Sequence, residues 1–224
     1  MNFLDNTFCN FSFIQIFENF LNIIYKLKFS KKEEYLRQKD EQLKKIIDTN
    51  GHIVFKPNKK NQFDSLVGIV ISQFISTKAA DSIFKNIRQH FKSQYLDEKY
   101  FKDLNIDEIK KLGLSTNKAR TVKEISELFI NESFGDLTSL NNDDLKSSLL
   151  KVFGIGPWSI NMFEIFCMGK LDIFTSKDAG LRLAMNRIGM VSPESHWETY
   201  DYYATKWTPY RTIASIHLWK FVDG

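Results

Sequence analysis

The amino-acid sequence predicts an all-α protein, and three observations support this fold class. Apolar residues recur every three or four positions through most of the chain, which is the spacing of one face of a helix. Many of these segments begin after Ser, Thr, Asp or Asn and end at Gly, the residues that cap and terminate helices. No alternating strand pattern and no internal repeat stands out, so the segments are interpreted as helices, turns and linkers.

Composition and charge limit the possible classes of protein without selecting one. Hydrophobic residues make up 43% and charged residues 26% of the 224 positions, which is ordinary for one globular core or two small lobes. The net charge of +4 is mildly basic and permits a nucleic-acid partner. Cys9 and Cys167 are too few for a four-cysteine metal site or a disulfide framework, so we expect a reducing, intracellular compartment.

Residues 1–34 are predicted to form an N-terminal helical extension, and residues 35–224 to form the body. Residues 1–24 are rich in Phe and Ile at helical spacing. Asp5 stands where a secretory signal carries positive charge, and polar residues such as Gln15 interrupt the apolar run. We therefore expect neither a signal peptide nor a membrane span.

The body opens with a helix predicted over 35–48, followed by a buried helix over 63–71. The second pattern breaks at 72–76, and a new helix starts with Ser76 or Thr77 as its cap. The other helices outside the central region are predicted over 105–112, 115–130, 193–206 and 210–222.

Two basic residues lie in the first turns of the helix over 115–130. At Lys118 and Arg120 a positive charge opposes the helix dipole. These side chains lie either near a bound phosphate or on a solvated face of the helix, and we favour the solvated face.

Two helical patterns meet at the turn Gly154-Ile155-Gly156. The first follows the capping residues that start at Asn142, and the second opens with Pro157 and stops at Gly169. Because two of the three connecting residues are glycines, which tolerate positive φ, the pattern predicts a tight helix–hairpin–helix. Backbone N–H groups at the start of the second helix can attract a phosphate, although such a turn by itself is also compatible with an ordinary connection between two helices.

A third helix follows the hairpin. Thr175 or Ser176 is predicted to cap it, which places Asp178 in its first turn. An acidic residue there is by itself most simply explained by the helix dipole. The combination is more specific, because Asp178 follows the aromatic residue Trp158 of the hairpin by 20 positions.

These stretches resemble the helix-hairpin-helix (HhH-GPD) DNA glycosylase superfamily, and within it the 3-methyladenine DNA glycosylase II branch. The resemblance rests on LLKVFGIGPWSINMF (149–163) and DIFTSKDAGL (172–181). It is supported by VISQFISTKAA (70–80), GLSTNKAR (113–120) and WTPYRTIASIHLW (207–219). The resemblance extends roughly from Tyr35 to Trp219, so it covers far more than one motif.

The resemblance implies a two-lobed fold with the active site in the cleft between the lobes. Lobe one is expected over 62–170, and lobe two is expected to combine 35–61 with 171–224. The implied partner is double-stranded DNA that contains a damaged base. We expect a monomer.

Asp178 matches the catalytic aspartate of the superfamily. When an N-glycosidic bond breaks, positive charge builds on the sugar, and a fixed carboxylate stabilises that charge and helps water to attack. Alkylated purines are good leaving groups because their own positive charge already weakens the bond. Members that also nick DNA have a lysine nucleophile where this chain has Trp158, so we expect a monofunctional enzyme that uses water.

The resemblance also assigns binding residues. Trp158 suits stacking on an electron-poor base, Trp219 matches a second tryptophan of the base pocket, and Met162 stands at a pocket position that is often aromatic. The residues implied in DNA contact are Gln73, Phe74, Gly154, Ile155, Gly156 and Thr175.

Phe74 stands where many relatives have a second glutamine and others an apolar wedge. A bulky apolar side chain there can fill the gap that a flipped nucleotide leaves in the base stack. The alternative is that Phe74 is a core residue, and the sequence favours neither interpretation.

No cofactor is expected, because the chain lacks the cysteines that hold an iron–sulfur cluster in some relatives. Family hairpins often bind a monovalent cation through backbone carbonyl groups. The matching carbonyls belong to Leu150, Val152 and Ile155.

The sequence thus predicts a DNA glycosylase that excises alkylated purines such as 3-methyladenine and initiates base-excision repair in the cytoplasm and nucleoid, or in a nucleus. One alternative is the same fold acting on oxidised or mismatched bases, against which the missing lysine and missing cluster cysteines argue. A non-catalytic DNA-binding hairpin protein is a second, although it has no need for Asp178. A helical protein-interaction domain is a third.

Overall fold

The computed structural model describes residues 29–131 and 142–223, and within these ranges every regular element is helical, which confirms the all-α class. The predicted extension therefore lies almost entirely outside the described residues. No helix in the described part has the length and apolar character needed to cross a membrane.

The helices are numbered in chain order. They are α1 (Lys31–Lys39), α2 (Glu41–Asn50), α3 (Gln62–Ser72), α4 (Thr77–His90), α5 (Ile106–Lys111), α6 (Thr116–Asn131), α7 (Asn142–Leu150), α8 (Pro157–Phe163), α9 (Ala179–Arg187), α10 (Trp197–Ala204) and α11 (Arg211–Asp223). Short 3₁₀ turns occur at Glu98–Phe101 and Thr205–Trp207, and a π-helical turn over Glu164–Met168 continues α8.

The described residues divide into two compact units, one comprising 55–131 with 142–179 and the other comprising 29–54 with 180–223. These boundaries differ from those expected from the sequence, because 55–61 and 171–179 belong with the hairpin. The first stretch is bound there by Asn58, whose N–H donates to the carbonyl of Phe166 at 2.7 Å. Asp178 consequently lies in the same unit as the hairpin.

Helix α3 is the central element of the unit over 55–179 and packs against α4, α6 and α8. It is apolar around most of its circumference, as expected for a helix that neighbours surround. Its buried apolar side chains are Phe63, Leu66, Val67, Ile69, Val70 and Ile71. Burial of this helix places the turn that follows it, at 73–76, next to the hairpin.

In the other unit, α11 packs against α1 and α2. The single helix predicted over 35–48 is in fact two helices, because Asp40 is extended (φ −151°, ψ 110°) and its carboxylate caps α2 by accepting the N–H groups of Gln42 and Leu43. Helix α1 begins before position 35, since Ser30 and Glu33 form a capping box.

The helix predicted to start at Ser192-Pro193 begins only at Trp197. The N–H of Ser195 donates to the carbonyl of Ser192 at 3.0 Å, so this stretch forms a separate turn.

Glu33 is fully buried in this second unit, and both carboxylate oxygens have partners. Oε1 accepts the N–H of Ile53 at 3.0 Å and lies 3.2 Å from Nε2 of His217. Oε2 accepts the N–H of Ser30 at 2.6 Å and lies 2.7 Å from Nδ1 of His52. Burial acts to raise the pKa of Glu33, but the hydrogen bonds outweigh burial and hold that pKa well below its usual range.

We expect Glu33→Gln to lower the free energy of unfolding at pH 7 by about 1–3 kcal/mol. The side-chain NH₂ group of glutamine is a donor, and it would face N–H donors that now donate to the carboxylate. Because the folded-state pKa is depressed, this stabilisation is complete above the ordinary glutamate pKa, about 4.3, and is lost progressively as the pH falls below it. Urea unfolding of wild type and variant across this pH range measures the difference.

The control is Glu41→Gln, whose side chain is 79% exposed and which should change the unfolding free energy by less than about 0.5 kcal/mol. Equal stability of wild type and Glu33→Gln at pH 7 would contradict the structural role of the carboxylate.

Candidate active site

The hairpin turn between α7 and α8 is built on α6. Gly154 has φ +77°, and a Cβ atom at this position would overlap the Oγ1 atom of Thr121 on α6. Gly156 differs, because its φ is −121° and an added Cβ would meet no atom within 4 Å. The fold therefore requires a glycine at 154, whereas the open space at 156 is available to a ligand.

Trp158 and Asp178 are brought together at the start of α8. The indole Nε1–H of Trp158 donates to Oδ2 of Asp178 at 2.8 Å. Asp178 is 9% exposed and Trp158 is half-buried, so the bond is largely shielded from solvent. Low local dielectric strengthens a bond to a charged acceptor, and the indole thereby orients the carboxylate.

Asp178 is not in the first turn of a helix, as the sequence suggested, but directly precedes α9 at Ala179. The N–H of Asp178 donates to the carbonyl of Thr175 at 3.2 Å, and the Thr175 hydroxyl accepts the N–H of Lys177 at 3.3 Å. Residues 175–178 therefore form a turn rather than the start of the helix.

Gln73 connects the turn after α3 to the hairpin. Its side-chain Nε2 donates to the carbonyl of Gly154 at 3.0 Å and to the hydroxyl of Ser159 at 2.9 Å. Ser159 is 2% exposed and follows Trp158 in α8. Gln73, predicted to contact DNA, is therefore placed by the structure as a link between two turns.

Phe74 is fully exposed, with a relative accessibility of 103%, and has φ +59°. Of the two interpretations that the sequence left open, the structure excludes the core. Positive φ is unfavourable for a bulky residue, so the turn holds Phe74 in a conformation that the chain does not adopt by itself. Its role as a wedge stays a prediction.

Lys118 also supports this turn, a role that the sequence did not suggest. Its Nζ donates to the carbonyl of Ile71 at 2.8 Å, near the C-terminal end of α3. Loss of solvation by burial lowers the pKa of Lys118. The side chain is therefore neither on a solvated face nor extended toward a phosphate.

The structure gives the burial of the other predicted residues but does not show a contact with base or DNA. Met162, Thr175 and Ile155 are buried, with exposures of 4%, 6% and 7%, so their predicted contacts with base or DNA stay predictions. Trp219 is half-buried on α11, in the unit that does not contain Trp158.

The sequence also missed Ser159 and Thr121 as residues of the site. Both are small hydroxyl residues within helices and carry no signal of their own. Ser159 follows Trp158 in α8, and Thr121 lies on α6. Their roles become apparent only in the folded structure, where the hairpin packs on α6.

The resemblance implied that Trp158 and Asp178 belong to one site, and the structure adds a hydrogen bond between them. Comparison with known proteins tests the family. A family model described as "HhH-GPD superfamily base excision DNA repair protein" matches residues 67–209, well over half of the chain. The chain belongs to this superfamily, which confirms the resemblance.

Relatives extend over most of the chain. DNA-3-methyladenine glycosylase 1 of Schizosaccharomyces pombe is 26% identical over 202 residues, which cover 85% of this chain and 86% of that protein. The alkylbase DNA glycosidase-like protein mag2 of the same organism is 22% identical over 198 residues, covering 86% and 93%.

Solved structures show the same fold. The S. pombe 3-methyladenine DNA glycosylase Mag1, in complex with abasic DNA, superimposes with a TM-score of 0.76 at 25% identity, covering 85% of this chain and 96% of that chain. A 3-methyladenine DNA glycosylase from Archaeoglobus fulgidus shares the fold with a TM-score of 0.71 at 19% identity.

The two hairpin glycines provide a matched test. Gly156→Ala should leave the melting temperature unchanged and weaken binding to damaged and undamaged duplexes alike, because the new methyl group occupies the space through which a phosphate approaches. Gly154→Ala should instead lower the unfolding free energy by about 1–2 kcal/mol through its positive φ, in addition to the overlap with Thr121.

Thermal unfolding and fluorescence anisotropy with labelled duplexes measure the two effects. A binding defect of Gly156→Ala that is confined to lesion-bearing DNA would argue against a phosphate role for this turn.

Proposed function

We propose that this chain is a monofunctional DNA N-glycosylase that removes alkylated purines, such as 3-methyladenine, from double-stranded DNA and so initiates base-excision repair. The hydrogen bond between Trp158 and Asp178 carries the proposal, since it combines the expected carboxylate with an aromatic residue in the place of a lysine nucleophile. Relatives named for 3-methyladenine and alkylbase excision, which align over most of the chain, support the substrate class.

In the proposed reaction, the bond between the sugar C1′ and the base nitrogen breaks and water supplies the oxygen that replaces it. Positive charge develops on the sugar as the base leaves with the bonding electrons. The Asp178 carboxylate stabilises this charge and accepts a proton from the attacking water. The indole N–H of Trp158 holds the carboxylate in place, so little reorganisation is needed during the reaction.

Trp158 also accounts for the choice of nucleophile. An indole cannot form the Schiff base that a lysine forms with the sugar, so the products are a free base and an intact abasic site. The face of the ring can additionally stack on a cationic base, because its π-electrons attract positive charge.

Phe74 is proposed as the wedge that enters the base stack when the damaged nucleotide is flipped out. Unstacking costs a few kcal/mol, and an inserted apolar side chain offsets part of that cost. A fully exposed phenylalanine on a turn is suited to this role because no rearrangement of the core is needed to insert it. Gln73, bonded to the hairpin, then keeps the wedge in register with the site.

The remaining expectations follow from family membership. Neutral carbonyl oxygens suit a hard cation, so the carbonyls of Leu150, Val152 and Ile155 would hold a monovalent ion, which would help to bind a DNA phosphate. The carbonyl of Val152 accepts the N–H of Ile155 at 3.2 Å, which leaves a lone pair for such an ion. We propose that the enzyme acts as a monomer in the compartment that contains the DNA, which is the nucleoid or the nucleus.

The decisive test is incubation of the protein with methylated duplex DNA and identification of the released bases by mass. Wild type should release alkylated purines, and borohydride should trap no covalent protein–DNA adduct. Asp178→Asn should reduce excision by orders of magnitude while duplex binding persists, because the variant keeps the shape and loses the charge.

Asp103→Asn, at an exposed position of the same unit, is the control and should be as active as wild type. Near wild-type excision by Asp178→Asn would remove Asp178 from the mechanism. Release of other bases would favour the alternative of a different lesion, and DNA binding without any release would favour a non-catalytic hairpin protein.

Phe74→Ala should lower excision from a fully paired duplex about tenfold or more, because the flipped state loses a stabilising contact of about 1–3 kcal/mol. Its melting temperature should be nearly unchanged, since the side chain is exposed. The effect should be smaller for a lesion that is already mispaired, because less stacking is broken.

Tyr202→Ala, which removes another aromatic side chain that is 80% exposed, is the control. Equal losses of activity on paired and mispaired lesions would show that Phe74 acts by some means other than filling the stack.

A further inference from the structure

Arg120 lies over the ring of Phe153, beside the hairpin turn. Its guanidinium carbon lies 4.0 Å from the centre of the Phe153 ring, and Phe153 directly precedes Gly154. Its Nε donates to Oε1 of Glu124 at 2.9 Å. The side chain nevertheless remains 53% exposed, so it is anchored at one end and open to solvent at the other.

Glu124 completes this arrangement. Its second oxygen, Oε2, accepts the backbone N–H of Phe153 at 2.7 Å. Both the backbone and the ring of Phe153 are therefore bound by α6, and one carboxylate positions Arg120 and the turn together. The charge of Glu124 is balanced by Arg120, with which it forms an ion pair at 2.9 Å.

The hydrogen bond from Nε of Arg120 leaves its two terminal NH₂ groups available. The cation–π contact with the ring of Phe153 requires no hydrogen bond from an N–H group. Among the described residues, Nε is the only side-chain nitrogen of Arg120 with a hydrogen-bond partner, so both terminal NH₂ groups have none. Two parallel N–H donors match two oxygens of a phosphate, and prior anchoring lowers the entropy lost on binding.

We propose that Arg120 binds a backbone phosphate of DNA at the edge of the hairpin turn, in addition to the phosphate expected at Gly156. The inference rests on the proposed function, since it assumes that the hairpin faces DNA. It reverses the expectation from the sequence that Arg120 lies on a merely solvated face, because the sequence does not show the ring of Phe153 beneath it. Lys118, two residues earlier, is bonded to the carbonyl of Ile71 and does not substitute for Arg120.

A charge-matched double variant tests this contact. Arg120→Gln together with Glu124→Gln leaves the net charge unchanged and keeps an acceptor for the N–H of Phe153. A loss of binding would therefore report the arginine contact rather than a change in the net charge of the protein. Duplex affinity should fall about tenfold at low salt. The plot of log affinity against log salt concentration should become shallower by about 0.9, the value for one phosphate contact.

Asp107→Asn with Lys110→Gln is the control, since it removes another ion pair, 3.2 Å long, from the same unit without a net charge change. It should leave both affinity and salt dependence at wild-type values.

Wild-type affinity and salt slope in the Arg120/Glu124 double variant would overturn the inference, provided that its melting temperature is close to that of wild type. If the variant unfolds, Arg120→Lys replaces it, and this variant should keep the slope and lose affinity because an ammonium group makes no bidentate contact. Wild-type protein that binds no duplex DNA at all would instead refute the proposed function.

Discussion

The side-chain amide of Gln73 donates to the carbonyl of Gly154 and the hydroxyl of Ser159, and these two bonds join the turn after α3 to the hairpin. Ser159 neighbours Trp158, whose indole in turn holds Asp178. A continuous path of hydrogen bonds and one peptide link thus leads from the Phe74 turn to the carboxylate. In the proposed enzyme, this path would hold Phe74 and the Asp178 carboxylate at a fixed separation when DNA is bound.

Around the hairpin, neighbouring residues of similar chemistry have different roles. Gly154 satisfies a backbone and packing requirement of the fold, whereas Gly156 leaves open space. Lys118 is committed to a carbonyl of α3, whereas the guanidinium of Arg120 rests on Phe153 with its donors exposed. In each pair the difference arises from direction, because residues two positions apart on a helix or turn point to different surroundings.

The misplaced helix starts have a shared cause, which is that more than one residue near each start has a capping side chain. Thr175, Ser176 and Asp178 all have capping side chains, and α9 begins after the last of them because the N–H of Asp178 bonds back to Thr175. Asp40 was likewise interpreted as a position within a helix, although its carboxylate caps α2. Local propensity allows each alternative, and packing of the following helix selects one.

By itself, the sequence determined the helical class, the hairpin and the residue types at its centre, because helix period, caps and glycine turns are local properties. It also determined that a tryptophan and not a lysine precedes Asp178 by 20 positions. Only the tertiary structure decided that Phe74 is exposed, that Trp158 holds Asp178 and that Arg120 lies on Phe153. Exposure and side-chain contact depend on which distant segments pack together, and α3, α6 and the hairpin meet only in the folded chain.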